Sequence, residues 1–165
     1  MSFPKDRTGS VVAGSVSVII PTFRRSDGLD RAMASVLIQT ALSDTPLSII
    51  VCDNSPEASA RAQVAALAAI APIAIIYVHE PRTGVANARN AAVEACDAEF
   101  IAFLDDDEEA PAGWLSALLA TQAAFGADVV FGPVTARLQD ADATFPAYFE
   151  TFFSRTGPDQ SQRLE

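Results

Sequence analysis

Five short apolar runs, separated from one another by stretches with helical spacing, constrain the fold of this chain more than any other feature. The runs cover residues 16–20, 47–51, 73–77, 100–104 and 128–132. Each is rich in Val, Ile or Phe and is apolar at consecutive positions, the pattern of a strand buried on both faces. After the first run, Leu29, Met33, Val36 and Leu37 recur at helical spacing behind Ser26 and Asp27, two residues suited to cap a helix. The alanine-rich stretch 58–70 is closed by Pro72, and the stretches 85–95 and 113–125 are helical in the same way. Strands that alternate with helices imply a mainly parallel sheet with helices on both faces, so the fold class is α/β. Beyond Gly132 the rhythm breaks, although Phe145, Phe149, Phe152 and Phe153 fit the apolar stripe of one more short helix.

With 165 residues, half of them hydrophobic, the chain is long enough for one compact core. We expect a loose polar tail over 1–14, one domain over 15–155, and a second polar tail over 156–165. The final Leu164-Glu165 resembles a cloning remnant, which leads us to expect a piece of a longer protein. The net charge is −10 and Lys5 is the lone lysine, which argues against nucleic acid or an anionic membrane surface as a partner. An anionic ligand would need a local cluster of arginines or a metal. Cys52 and Cys96 lack metal-ligand spacing and sit in apolar surroundings, as buried thiols do in a reducing, cytoplasmic compartment. No apolar run approaches the length that spans a bilayer.

An open parallel sheet binds ligands at the carboxyl ends of its strands, where loops converge and helix N-termini face the crevice. The residues there are 21–25, 52–55, 79–84 and 105–109. Asp105, Asp106, Asp107, Glu108 and Glu109 are five consecutive acids after an apolar strand. Such a cluster suits a hard divalent cation, Mg2+ or Mn2+, shared with substrate phosphates. It equally suits a solvated acidic turn whose glutamates favour the dipole of the next helix. Arg24, Arg25, Arg82 and Arg89 fall near the same sheet edge and together suit a diphosphate, while any one of them alone is as well explained as a counter-charge. Asp53 begins Asp-Asn-Ser-Pro, which fits a turn bonded to its own backbone as well as a ligand contact to a base or ribose. His79 and Trp114 read first as structural, the one at a strand end and the other at the start of a helix.

Four segments in this order, Val18-Ile19-Ile20-Pro21-Thr22-Phe23-Arg24-Arg25, Ile50-Val51-Cys52-Asp53-Asn54-Ser55, Gly84-Val85-Ala86-Asn87-Ala88-Arg89-Asn90 and Phe103-Leu104-Asp105-Asp106-Asp107-Glu108, closely resemble family 2 glycosyltransferases of the GT-A fold. Pro111-Ala112-Gly113-Trp114-Leu115 continues the likeness, which covers roughly residues 15–135. The resemblance implies metal-dependent, inverting transfer of a sugar from a nucleoside-diphosphate sugar to a hydroxyl of a saccharide or lipid-linked acceptor. It implies a Rossmann-like GT-A domain, here its nucleotide-sugar-binding part. Pro21, Thr22 and Arg24 would border the donor, Asp53 would bond its base, and Arg82 and Arg89 would position base and diphosphate. Asp107, with Asp105, would hold the metal, while Asp105 and Asp106 would contact the ribose or support the metal shell.

The likeness does not extend to a catalytic base. After Gly132 the acids are Asp140, Asp142, Glu150, Asp159 and Glu165, and none stands in a context that matches the family's base motif. We therefore expect the base outside this chain, and little or no sugar transfer by these 165 residues alone. A phospho-acceptor receiver domain would need a lysine after its last strand, and Lys5 is far from that place. A sugar-nucleotide pyrophosphorylase would need a glycine-rich loop where Pro21-Thr22-Phe23 stands. A nucleotide-binding module without catalysis remains open, because a fold does not fix a function.

Overall fold

A computed structural model describes residues 12–40, 42, 44–138 and 144–157. Lys5 and the rest of 1–11, together with Asp140, Asp142, Asp159, Glu165 and the polar tail from 158 onward, lie outside the described residues. The chain divides into two compact units, Met1–Leu115 and Ser116–Glu165.

The first unit holds four parallel strands, β1 (Val12–Thr22), β2 (Leu47–Asp53), β3 (Ala74–His79) and β4 (Ala98–Phe103), in the order β3-β2-β1-β4. Helices α1 (Ser26–Leu37), α2 (Arg61–Ala68) and α3 (Val85–Glu94) connect them in turn. Because successive side chains in a strand point to opposite faces, the apolar runs feed two cores. On one face Val18 and Ile20 of β1 with Ile49 and Val51 of β2 pack against Leu29, Met33 and Val36 of α1 and Val64 of α2. On the other, Ile19, Ile50 and Cys52 pack against Ala88 and Ala92 of α3. Small residues on α3 let that helix lie close to the sheet. Each fully buried aliphatic chain in these layers contributes about 1.5–3 kcal/mol. The polar pair in mid-sheet, Ser17 and Ser48, is self-satisfied, since the two residues are directly opposite and their hydroxyls lie 2.6 Å apart.

Four differences from the sequence-based expectation have local causes. The first strand begins at Val12, so residues 12–14 belong to the sheet rather than to the expected tail; Gly14 N–H donates to Glu99 of β4 at 2.6 Å. Helix α1 starts one residue early. Arg24 takes a positive φ of 56°, which turns the chain so that Arg25 becomes the N-cap, and Ser26 and Asp27 fall inside the first turn. Helix α2 is shorter than 58–70, because residues 55–60 are spent wrapping the Asp53 carboxylate, with Ala58 at φ 59°.

The fourth difference concerns residues 128–132, the expected fifth strand, which carry no regular secondary structure. An apolar run becomes a strand only when a neighbouring edge accepts its hydrogen bonds. Among the described residues of the second unit the only pairing is an isolated antiparallel bridge between Val134 and Arg155. This unit also contains α5 (Pro146–Phe153), on which Tyr148 stacks with Phe152 and Phe149 with Phe153 at the i, i+4 spacing of neighbours on a helix. Helix α4 (Trp114–Phe125) begins in the first unit, where Leu115 is buried and Trp114 packs partly against the core.

Candidate functional site

The strand order reverses direction between β1 and β4. There the connections leave to opposite sides, and the carboxyl ends of the two strands open a crevice. A cleft of about 420 Å³ occupies that position. Pro21, Thr22, Phe23 and Arg25 line it from the end of β1, and Asn54 from the end of β2. Thr83, Gly84, Val85 and Ala88 bring the N-terminal turn of α3 to its wall, and Asp105, Asp106 and Asp107 close it from the end of β4.

The three aspartates have three different environments. The loop starts as a continuation of the ladder, with Leu104 N–H donating to Ile19 C=O at 3.1 Å. Asp106 then turns inward and is 7% exposed. Its carboxylate accepts hydrogen bonds from the Thr22 hydroxyl at 2.8 Å, the Phe23 N–H at 3.4 Å and Arg25 Nη1 at 3.3 Å, joining the ends of β1 and β4. Its carbonyl oxygen presses on Gly28 of α1, where a β-carbon would come within 2.4 Å. Asp105 and Asp107, on either side of it, keep 47% and 57% of their side chains exposed. Asp105 accepts from Arg89 Nη2 at 2.8 Å, and Asp107 from Arg25 Nη1. Arg89 in turn lies over the Phe103 ring, 5.6 Å from its centroid, and its Nε is buried without a hydrogen-bond partner. Glu108 folds back to accept the Asp105 N–H at 3.2 Å, and burial, reinforced by Asp105 and Asp107, raises its pKa. Exposed pairs of the Arg25–Asp107 kind contribute about 0.2–1 kcal/mol, so these arginines balance the loop without locking it.

At the end of β2 the same residue type has the opposite fate. Asp53 is fully buried. It accepts four hydrogen bonds, from the N–H and hydroxyl of Ser55, the Ala60 N–H and the Tyr77 hydroxyl. Burial alone would raise its pKa, but these four donors outweigh it and leave the carboxyl below its ordinary value. Burial and the Asp53 charge push the Tyr77 hydroxyl up to about 12. The neighbouring Asn54 clamps the next loop: its amide donates to the carbonyls of Glu80 at 2.7 Å and Arg82 at 2.8 Å, and its oxygen accepts the Gly84 N–H at 2.7 Å. Gly84 has φ 130°, a conformation that favours glycine, and from it α3 starts at the cleft wall.

Of the residues expected at the site, Pro21, Thr22, Asp105, Asp106 and Asp107 meet in the cleft, and Arg89 reaches it through Asp105. Three do not line it. Asp53 is enclosed by protein donors, in a turn bonded to its own backbone. Arg24 points to Glu57, with Nε and Nη2 on its two oxygens at 2.6 and 3.0 Å. Arg82 folds onto Glu80 through Nε and Nη2 at 2.9 and 2.7 Å, and these bonds lower the Glu80 carboxyl to about 2. His79 donates from Nε2 to the Ser55 carbonyl at 2.9 Å, a structural contact. Sequence reasoning assigned no role to Asn54 or Gly28. The cue for Asn54 was its place beside Asp53 at a strand end; for Gly28 there was none, because its neighbour Asp106 is remote in sequence.

Among the described residues no three His, Cys, Asp or Glu side chains gather into a self-contained metal site. The outward pair Asp105 and Asp107 nonetheless has the donor chemistry of a hard divalent cation that completes its shell with water and substrate phosphate. Among the described residues, no helix is long and apolar enough to cross a membrane, and Cys52 and Cys96 are buried free thiols.

Residues 17–164 match the family model for glycosyl transferase family 2. The succinoglycan biosynthesis protein ExoM of Rhizobium meliloti (strain 1021) is 38% identical over 121 residues, which are 73% of this chain and 39% of that protein. This chain thus spans about two fifths of the length of that relative. A mannosyltransferase of Pyrobaculum calidifontis, solved in complex with GDP-Man and Mn2+, superposes with a TM-score of 0.55 at 26% identity, over 77% of this chain and 36% of that one. Residues 1–349 of TarS from S. aureus in complex with UDP superpose at 0.59 with 19% identity, over 69% of this chain and 33% of that one, a likeness of fold.

Proposed function

The chain belongs to glycosyl transferase family 2, has the α/β architecture of the GT-A fold, and from that premise we propose that its cleft binds the nucleoside diphosphate of a sugar donor together with a divalent metal. The observation that carries this reading is the outward pair Asp105 and Asp107, set at the β1/β4 switch point beside the N-terminal turn of α3. A diphosphate at that place would receive the positive end of a helix and the guanidinium groups of Arg25 and Arg89.

In this reading Asp107, with Asp105, holds Mg2+ or Mn2+, which when bound neutralises charge growing on the leaving diphosphate. Asp106 is the strut that sets the separation of its two neighbours. Pro21 and Thr22 border the nucleotide, and Asn54, rather than the enclosed Asp53, presents polar atoms to the cleft. Arg24 and Arg82 would join the donor only by leaving Glu57 and Glu80. The acceptor hydroxyl attacks the anomeric carbon, the bond to the diphosphate breaks with its electron pair, and configuration inverts as the hydroxyl proton passes to a base. We assign that base to no residue of this chain. The acceptor is a saccharide or a lipid-linked saccharide, and the setting is cytoplasmic, in keeping with the two free thiols.

Titration calorimetry with UDP and GDP, with and without Mn2+, tests the reading. Binding of at least one nucleotide should require Mn2+ and weaken about tenfold or more in Asp107→Ala, the effect of losing a charged contact. Failure of both to bind, or binding indifferent to Mn2+ and to that substitution, would refute it.

A further inference from the structure

We propose that Arg25 is an internal cation that occupies Asp107 while the metal is absent and transfers to the donor diphosphate when metal and nucleotide enter together. The proposal rests on the donor-site reading above. It starts from three placements. Arg25 lines the same cleft as the three aspartates. A single nitrogen, Nη1, makes its contacts to both Asp106 and Asp107, so the guanidinium lies where it meets the outward carboxylate expected to take the metal. Both partners of the outer contact keep 57% of their side chains exposed, so the pair is accessible and screened by water.

The contrast with Arg24 gives the placement its meaning. Arg24 and Arg25 are adjacent and of one type, yet the positive φ at Arg24 turns that side chain to Glu57, outside the cleft lining. The backbone of Arg25 is fixed instead: it is the N-cap of α1, and its carbonyl accepts the Leu29 N–H at 2.9 Å. What remains free to move is the long side chain, anchored at the cleft wall. Two positive groups cannot share Asp107 without repulsion, so a divalent cation arriving there must displace the guanidinium. The displaced fork has several N–H donors in one plane and finds phosphate oxygens within the same cleft. Arg25 thereby opposes metal alone and favours metal with diphosphate, which couples the two ligands by differential contacts.

This coupling predicts changes of opposite sign in one variant. In Arg25→Gln, calorimetry with Mn2+ alone should show tighter binding, about 1.5- to 5-fold for release of an exposed competing pair. The same variant should bind UDP or GDP in saturating Mn2+ about tenfold more weakly, for loss of charged hydrogen bonds. Arg25→Lys keeps the charge and loses the fork, so its affinity for Mn2+ alone should stay near the parent's while its nucleotide affinity falls. A general loosening of the loop would weaken both ligands together in Arg25→Gln. That result, or unchanged affinity for Mn2+ alone, overturns the proposal. If the parent protein binds no nucleotide in Mn2+, the donor-site reading itself has failed; if the parent binds and Arg25→Gln is indistinguishable from it, only the role of Arg25 has.

Discussion

Asp53 ends the parallel strand β2 and Asp107 stands in the acidic turn after β4, and the protein holds the two in opposite ways. Asp53 is enclosed by four donors, two of them backbone N–H groups, and no part of it reaches solvent. Asp107 is held by one arginine side chain and keeps more than half of its surface in water. A carboxylate ringed by fixed donors is structural, since leaving any of them unmade would cost more than a ligand could return. One balanced only by a mobile cation stays available. The difference teaches that a strand-end acid is read by who donates to it, not by where it stands.

The largest effect expected from this contrast is on stability. Asp53→Ala removes the acceptor of four hydrogen bonds and strands the Ala60 N–H and the Ser55 N–H in a buried turn. At about 1–3 kcal/mol for each buried donor left unsatisfied, a loss of about 3–5 kcal/mol is expected. Urea unfolding of Asp53→Ala beside Asp107→Ala checks it. The first should lower the midpoint strongly, and the second should lie within about 0.5 kcal/mol of the parent, as surface substitutions do. Equal destabilisation by both would erase the distinction.

A second, smaller effect sharpens the contrast within the acidic loop itself, where Asp106 behaves like Asp53 and its neighbours do not. Gly28 admits the Asp106 carbonyl because it has no side chain; a β-carbon there would stand 2.4 Å from that oxygen. The obstacle is backbone, so relief must come from moving α1 or the loop. Gly28→Ala should therefore cost about 1–3 kcal/mol, typical of overpacking, although alanine is otherwise the better helix former. Because the shifted atom belongs to the loop carrying Asp105 and Asp107, Mn2+-dependent nucleotide binding should weaken in the folded variant. A Gly28→Ala protein as stable as the parent would mean that α1 does not brace the loop.

Much of this was legible from the residues. The runs at 16–20 and 47–51 are apolar apart from Ser17 and Ser48, and the structure packs both of their faces, as such runs require; the run at 100–104 buries Ala102 and Leu104 and leaves Phe103 exposed. The run at 128–132 has the same look and carries no regular secondary structure; periodicity carries information about faces, not about partners. The site was legible as a neighbourhood, because strand ends in an open sheet converge whatever their loops contain. Individual roles were not. Whether Asp106 or Asp107 turns inward is decided by the Thr22 hydroxyl, 84 residues away in sequence. Likewise Asp53 is closed off by Tyr77 of β3, a donor from another strand. Arg24 and Arg25 differ because of one positive φ, which sequence does not announce at an arginine.

The smallest effect is a pH dependence that separates the β2 and β3 ends from the acidic loop. Glu80 has its pKa brought down from 4.5 to about 2, first by the Arg82 side chain and then by the Arg82 N–H. A carboxyl whose pKa is lowered on folding stabilises the fold above its unfolded value and loses that contribution as pH falls through the folded one. The window for Glu80 therefore runs from about pH 4.5 down to about 2, and Asp53, also lowered, acts in the same direction. Glu80→Gln should be less stable than the parent at pH 7, and the two should converge as pH approaches 2. Urea midpoints measured for both proteins between pH 7 and 2 isolate the effect, since the many other carboxylates cancel in the difference. A difference that stayed constant with pH would mean that Arg82 does not hold Glu80 in solution, and Arg82 would then be free to turn toward the cleft.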